Sequence, residues 1–239
     1  MIDTILLDMD GTLLPGDNDT FTHTYFKLLC ARVAPYGFAP EAFVRGLRSG
    51  MRAMIANDGT RTNREAFWDD FAGLYGEHAR ELEPVCDDFY AKEFNKVKDI
   101  LGICVDRRPL IDGLRAKGYQ LALANNPMLP SVGTRSRLSW IGLRPEDFAL
   151  VTDYSNCTYC KPNLGYYAEM CAKLGRRPEQ CLMVGNSVTD DACAAKLGCK
   201  VFLIDDNLEG SLDGLEGVMH GSFDSFCEYA AALPSVKGA

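Results

Sequence analysis

The pentapeptide Asp8-Met9-Asp10-Gly11-Thr12 sets two carboxylates two residues apart, directly behind an apolar run. A carboxylate can attack phosphorus and carry the phosphoryl group as a mixed anhydride, which divides one hard displacement into two easier ones. A second carboxylate can protonate the departing oxygen and later take a proton from water. Asp8 is therefore the candidate nucleophile and Asp10 the candidate general acid–base. Chemistry of this kind drives anionic phosphoryl oxygens toward an anionic nucleophile, so it needs positive charge. Lys161, in Lys161-Pro162-Asn163, is the candidate ammonium. The run Gly185-Asn186-Ser187-Val188-Thr189-Asp190-Asp191 offers acids and an amide oxygen to a magnesium ion, which takes oxygen ligands and few carboxylates. The side-chain amides of Asn125 and Asn126, with backbone N–H groups around Gly11 and Thr12, are candidate donors to the phosphoryl oxygens.

These residues need elements that bring them together. Residues 4–7 read as a buried strand stopped by Asp8 and the turn residues Gly11 and Pro15. Between residues 17 and 105 the texture is helical: Phe21, Tyr25, Leu28 and Leu29 share one face, as do Ala42, Phe43, Leu47 and Met51, and Phe67, Phe71, Leu74 and Tyr75. Beyond Arg108 helices and strands alternate. Helices are expected at 109–117, 131–141, 164–174, 189–197 and 222–233, and strands at 119–124, 148–152, 181–184 and 200–204. Such alternation implies parallel pairing and a Rossmann-like, doubly wound α/β sheet, with the helical block inserted after the first strand. The expected domains are a core of 1–15 and 106–239 and a helical cap of 16–105, followed by a loose tail after Pro234. Open parallel sheets bind ligands beyond the carboxyl ends of their strands, and those ends carry the candidate residues.

In order and spacing, Asp8-Met9-Asp10-Gly11-Thr12-Leu13, Lys161 and the glycine-led acidic run resemble the signature of the haloacid dehalogenase superfamily of phosphohydrolases, and the likeness spans the whole chain. The resemblance implies phosphate monoester hydrolysis through an aspartyl-phosphate on Asp8. It also implies Mg²⁺ as cofactor, held by Asp8, the main-chain carbonyl of Asp10, Asn186, and Asp190 or Asp191, with the family's spacing favouring Asp191. Two positions depart from the pattern. Asn125 stands where a Thr or Ser hydroxyl is usual, and Asn186 replaces the first acid of the metal motif, which implies a weaker hold on Mg²⁺. A phosphomutase would keep both aspartates, and a degenerate member could bind phosphate or a partner without turnover. A 2-haloacid dehalogenase has no use for Asp10.

Each residue also has a plainer reading. Asp8 and Asp10 could end a strand, Asn125-Asn126-Pro127 could be only a turn, Asp190 and Asp191 could be first-turn helix acids, and Lys161 could be a solvated lysine. Together they outweigh those readings. Arg45, Arg48 and Arg52 lie near one helical face and read as solvated rather than as a second anion site. Thr62-Asn63 marks only a helix start.

The 239 residues are 47% hydrophobic and 24% charged, with a net charge of −8, ordinary for a globular chain. The acidic balance argues against nucleic acid and anionic membrane as partners, and leaves a small phosphorylated molecule. No stretch is long and apolar enough to span a membrane, and the acidic start is unlike a signal peptide. A cytoplasmic setting with reduced cysteines follows. Cys30, Cys86, Cys104, Cys171, Cys193 and Cys227 fall in helical or buried patterns, and the lone C-x-x-C of Cys157 and Cys160 lacks the partners a zinc site needs.

Overall fold

The computed structural model describes residues 1–16 and 18–236. Its centre is a parallel sheet of six strands in the order β3-β2-β1-β4-β5-β6. The strands are β1 (Thr4–Leu7), β2 (Gln120–Leu123), β3 (Leu150–Val151), β4 (Cys181–Gly185), β5 (Lys200–Ile204) and β6 (Met219–Gly221). The alternating apolar residues of each strand divide between two faces. Ile5, Leu7, Leu121, Leu123, Leu182 and Val184 join one buried cluster, whereas Leu6, Ala122, Met183 and Leu203 join the other. This is the two-sided burial expected of a parallel sheet.

The helices are α1 (Asn18–Val33), α2 (Pro40–Ile55), α3 (Asn63–Tyr75), α4 (Leu82–Ala91), α5 (Lys96–Ile100), α6 (Arg108–Ala116), α7 (Ser131–Trp140), α8 (Leu164–Leu174) and α9 (Phe223–Ala232). Helices α1 to α5 leave from the end of β1 and return at α6. They do not form a core of their own: Phe21, Phe43 and Phe71 belong to the same buried cluster as Ile5 and Phe226. Glycines let α2 and α3 approach closely. A Cβ on Gly46 would stand 2.5 Å from the Phe71 ring, and one on Gly50 would stand 2.4 Å from the Phe67 ring. Arg45, Arg48 and Arg52 are exposed on α2.

Several expectations need correction. No α-helix forms over 189–197: residues 188–191 are a turn and Ala192–Leu197 is a 3-10 helix. Asp191 causes this, because its carboxylate turns back to accept from the Asn186 and Ser187 N–H groups at 3.0 and 2.9 Å. The edge strand β6 is too short, at three residues, to leave a periodic signal. Cys104 is exposed rather than buried. The segment after Pro234 is tied down where it is described, since Tyr119 Oη donates to the Pro234 carbonyl and the Val236 N–H to that of Lys117, both at 2.9 Å. Asp17 and residues 237–239 lie outside the described residues.

Candidate active site

Four chain segments converge beyond the carboxyl ends of the central strands, around a crevice of about 270 Å³. At the end of β1, Asp8 is fastened by its N–H to the Val184 carbonyl at 2.9 Å. The chain then turns sharply, with the Leu14 N–H donating to the Met9 carbonyl at 2.7 Å. The turn needs glycine at position 11 for two reasons. Gly11 has φ +74°, and a Cβ there would lie 2.2 Å from the Asn186 amide nitrogen.

Lys161 is the hinge of the charge arrangement. Its ammonium donates to Asp8 Oδ1 at 2.8 Å and to Asp191 Oδ1 at 2.6 Å. All three groups are buried. Asp191 fits this closely because Gly185 has no side chain: a Cβ would meet its carboxylate at 2.1 Å. Burial works against the Lys161 ammonium, but Asp191 and then Asp8 hold its pKa well above the ordinary lysine value. Asp8 is pushed up to about 7, chiefly by burial and also by Asp191 and Asp10, against the pull of Lys161. Burial likewise raises the Asp190 carboxyl.

Asp10 faces a partner that lies far away in the sequence. Arg137, on α7, holds both of its carboxylate oxygens from Nη1, at 2.7 and 2.6 Å. Arg137 is only 1% exposed, and its Nε and Nη2 are buried without partners among the described residues. Nothing in the local sequence marks it, since an arginine within a helix reads as a surface residue.

Some of the groups expected to donate to phosphate are already engaged within the protein. The Gly11 and Thr12 N–H groups are already used, donating to the Leu14 and Met9 carbonyls at 2.8 and 3.2 Å. Thr12 Oγ1 donates to Asn186 Oδ1 at 3.3 Å instead of facing the crevice. The N–H groups of Met9 and Asp10 meet no acceptor among the described residues. Asn125 lines the crevice, is buried, and has a side-chain amide with no partner among the described residues. Asn126 donates to Asp190 Oδ2 at a long 3.4 Å.

The oxygens open to a cation can be counted off. Asp10's carboxylate is held by Arg137. Asp191's carboxylate accepts three hydrogen bonds, from Lys161 and from two backbone amides. Among the described residues no three His, Cys, Asp or Glu side chains form a ready-made cation site. Less fully engaged are Asp8 and Asp190, each accepting one hydrogen bond among the described residues, Asn186 Oδ1, which accepts only from Thr12 at a long 3.3 Å, and the Asp10 carbonyl, which accepts none among them. Two carboxylates with neutral oxygens suit Mg²⁺, which fills its octahedron with water and substrate. Charge agrees: the crevice is lined by Asp8, Asp10, Asp19, Asp190, Asp191 and Glu209 against Lys161 and Arg137 alone.

Cys157 and Cys160 serve as packing. Both thiols are pushed up to about 12 by burial, which leaves them unreactive. Here α3 joins the sheet side of the molecule. Thr62 caps the helix with a reciprocal contact to Glu65. Buried Asn63 donates through Nδ2 to the Tyr159 carbonyl at 3.2 Å, and its N–H reaches the Cys157 carbonyl at 2.9 Å.

A family profile described as haloacid dehalogenase-like hydrolase matches residues 2–198. Among solved structures, the chain is similar to a 2-haloacid dehalogenase from Pseudomonas syringae pv. Tomato DC3000, with TM-score 0.62 and 18% identity over 97% of this chain and 99% of that one. It is also similar to a HAD phosphatase from Thermococcus onnurineus, with TM-score 0.59 and 19% identity over 98% of this chain and 100% of that one. A third likeness is to the HAD-hydrolase YfnB from Bacillus subtilis bound to magnesium, with TM-score 0.57 and 16% identity over 97% and 99%. No curated protein matches the chain in sequence.

Proposed function

Because the chain belongs to the haloacid dehalogenase-like hydrolases, we propose that it is a magnesium-dependent phosphatase acting on a small phosphorylated metabolite. The observation that carries this reading is the row Asp8, Lys161 and Asp191, held at 2.8 and 2.6 Å, with Asp10 two residues from the nucleophile. Asp8 attacks phosphorus and the bond to the leaving oxygen breaks. Asp10 supplies that oxygen's proton, leaving an aspartyl-phosphate. Asp10 then takes a proton from water, which attacks the phosphorus and frees Asp8. Lys161 offsets charge on the phosphoryl oxygens. The N–H groups of Met9 and Asp10 and the amide of Asn125 are the donors left for those oxygens. Magnesium, held by Asp8, the Asp10 carbonyl, Asn186 and Asp190, would supply the remaining positive charge. Displacement of halide from carbon needs the nucleophile alone, so Asp10 favours the phosphoryl reaction.

Helices α1 to α5 act as a cap that excludes water and chooses the substrate. Among the described residues no helix is long and apolar enough to cross a membrane. All ten cysteines are free, which suits a reducing cytoplasm. The test is phosphate release from a panel of phosphorylated metabolites with and without Mg²⁺, alongside Asp8→Asn. Release should require Mg²⁺ and fall by about 10³-fold or more in the variant. Equal release from the variant, or none from the natural chain, would overturn the reading.

A further inference from the structure

Beside the crevice lies a second, more enclosed cavity of about 50 Å³, several times the ~10–15 Å³ that one water occupies by this measure. Tyr25, Met51, Met128 and Leu129 line both spaces, so the two adjoin through these four side chains. Beyond that neck the walls are aromatic. Phe67 and Phe71 lie nearly parallel with their centroids 5.8 Å apart, Trp68 packs edge-on against both, and Phe43 meets Phe71 at 5.9 Å. The polar groups on the walls are few: Tyr25 and Tyr90 share a side-chain hydrogen bond, and Trp68 Nε1 is a buried donor with no partner among the described residues. Tyr154 Oη already donates to Glu83 at 2.9 Å. Asp87 is the one charged side chain on the wall, and burial raises its pKa.

We infer that this cavity receives an apolar leaving group, the alkyl or aryl part of a phosphate monoester whose phosphoryl end sits over Asp8. This rests on the phosphatase reading and narrows it to a substrate class. An alkyl chain or ring loses water contact and gains close-packed neighbours there. A polyol of equal size would bury more hydroxyls than Trp68 Nε1 and Asp87 can partner, at a cost of about tenfold or more in binding for each one left over. The two spaces thus divide one substrate, charge in the acidic, metal-ready crevice and carbon in the aromatic chamber.

The test measures kcat/KM for phosphate release from n-alkyl phosphates, ethyl to hexyl, beside glycerol phosphate and a hexose phosphate, with Mg²⁺ present. Each methylene should raise kcat/KM roughly fourfold until the cavity is full, and the longer alkyl esters should exceed polyol esters of similar size by at least about tenfold. Leu47→Phe, which fills the cavity from α2, should flatten the series. Should that variant fail to fold, a second measurement uses the natural chain. Titration with n-hexanol should change the Trp68 fluorescence saturably, glycerol should not, and Trp68→Phe should lose the signal. Release from polyol esters with no dependence on chain length, or no saturable hexanol signal, would overturn the inference and leave the phosphatase reading standing. No release from any ester would overturn the phosphatase reading, and this one with it.

Discussion

Asp10 must hand a proton to a departing oxygen, yet Arg137 holds both of its carboxylate oxygens at 2.7 and 2.6 Å. The guanidinium aims the carboxylate, and Arg137 is a positioning residue for it. Leaving groups divide this role from a merely structural one. Arg137→Met should lower kcat for an alkyl phosphate by about 10-fold to 100-fold, within the 10²–10⁴ that general acids contribute. It should leave 4-nitrophenyl phosphate nearly untouched, because that phenolate departs without a proton. Equal losses on both esters would deny Arg137 this role. Asp8 adds a dependence on pH. Its carboxyl is raised from 3.8 to about 7, chiefly by burial. An acid with a raised folded pKa favours the fold at low pH, and that contribution is lost as pH rises through about 7. Relative to the natural chain, metal-free Asp8→Asn should therefore gain stability between about pH 4 and pH 7, on the order of 2–4 kcal/mol, by urea unfolding at pH 5 and pH 8. The aspartates, Lys161 and the acidic run were legible in the sequence because each sits at the end of an apolar run or in a compact motif. Arg137 was not, since 127 residues separate it from Asp10 and only the fold joins them.

Helices α2 and α3 meet through glycine, and that contact shapes the aromatic chamber. Gly50→Ala would gain about 1 kcal/mol in helix propensity. Its Cβ would also fall 2.4 Å from the Phe67 ring, which is stacked on Phe71 and has little room to retreat. Overpacking of this kind costs about 1–3 kcal/mol. The expected result is a net loss of up to about 2 kcal/mol in urea unfolding, whereas Gly73→Ala, on α3 with nothing near its Cβ, should be neutral or stabilising. The strands were readable to within a residue or two, because buried parallel strands are short, unbroken apolar runs bounded by turn residues. The helix expected at 189–197 failed for a reason that residue patterns do not carry. A helical cap at Thr189 competes with the Asp191 carboxylate turning back onto two amides, and the second arrangement also satisfies Lys161. Asn63 read as an ordinary helix start, yet it is the buried tie between α3 and the 157–160 segment.

Across the whole molecule, negative charge is concentrated where the strands end. A chain of net charge −8 lines one crevice with six acids and two cations. Mg²⁺ should therefore stabilise the folded protein as well as support turnover. At a hundredfold excess over Kd the gain is about 2.7 kcal/mol, or roughly 5–10 °C in Tm for a chain of this size. Thermal unfolding in EDTA, in Mg²⁺, and in NaCl of matched ionic strength checks this, and no difference between Mg²⁺ and NaCl would count against the ligand set. Because Asn186 brings no charge, saturation should lie above the low micromolar range. The doubly wound architecture was evident from alternating patterns, but the enclosed chamber was not, since its walls come from four helices and two loops whose apolar stripes look like any core. The strand order has one more consequence. β1 pairs with strands beginning at Gln120 and Cys181, so it is the first of the six to leave the ribosome and has no mate until more than a hundred further residues have been translated. Asp8 is made before every other residue of the crevice, and its surroundings are complete only when Asp191 has emerged.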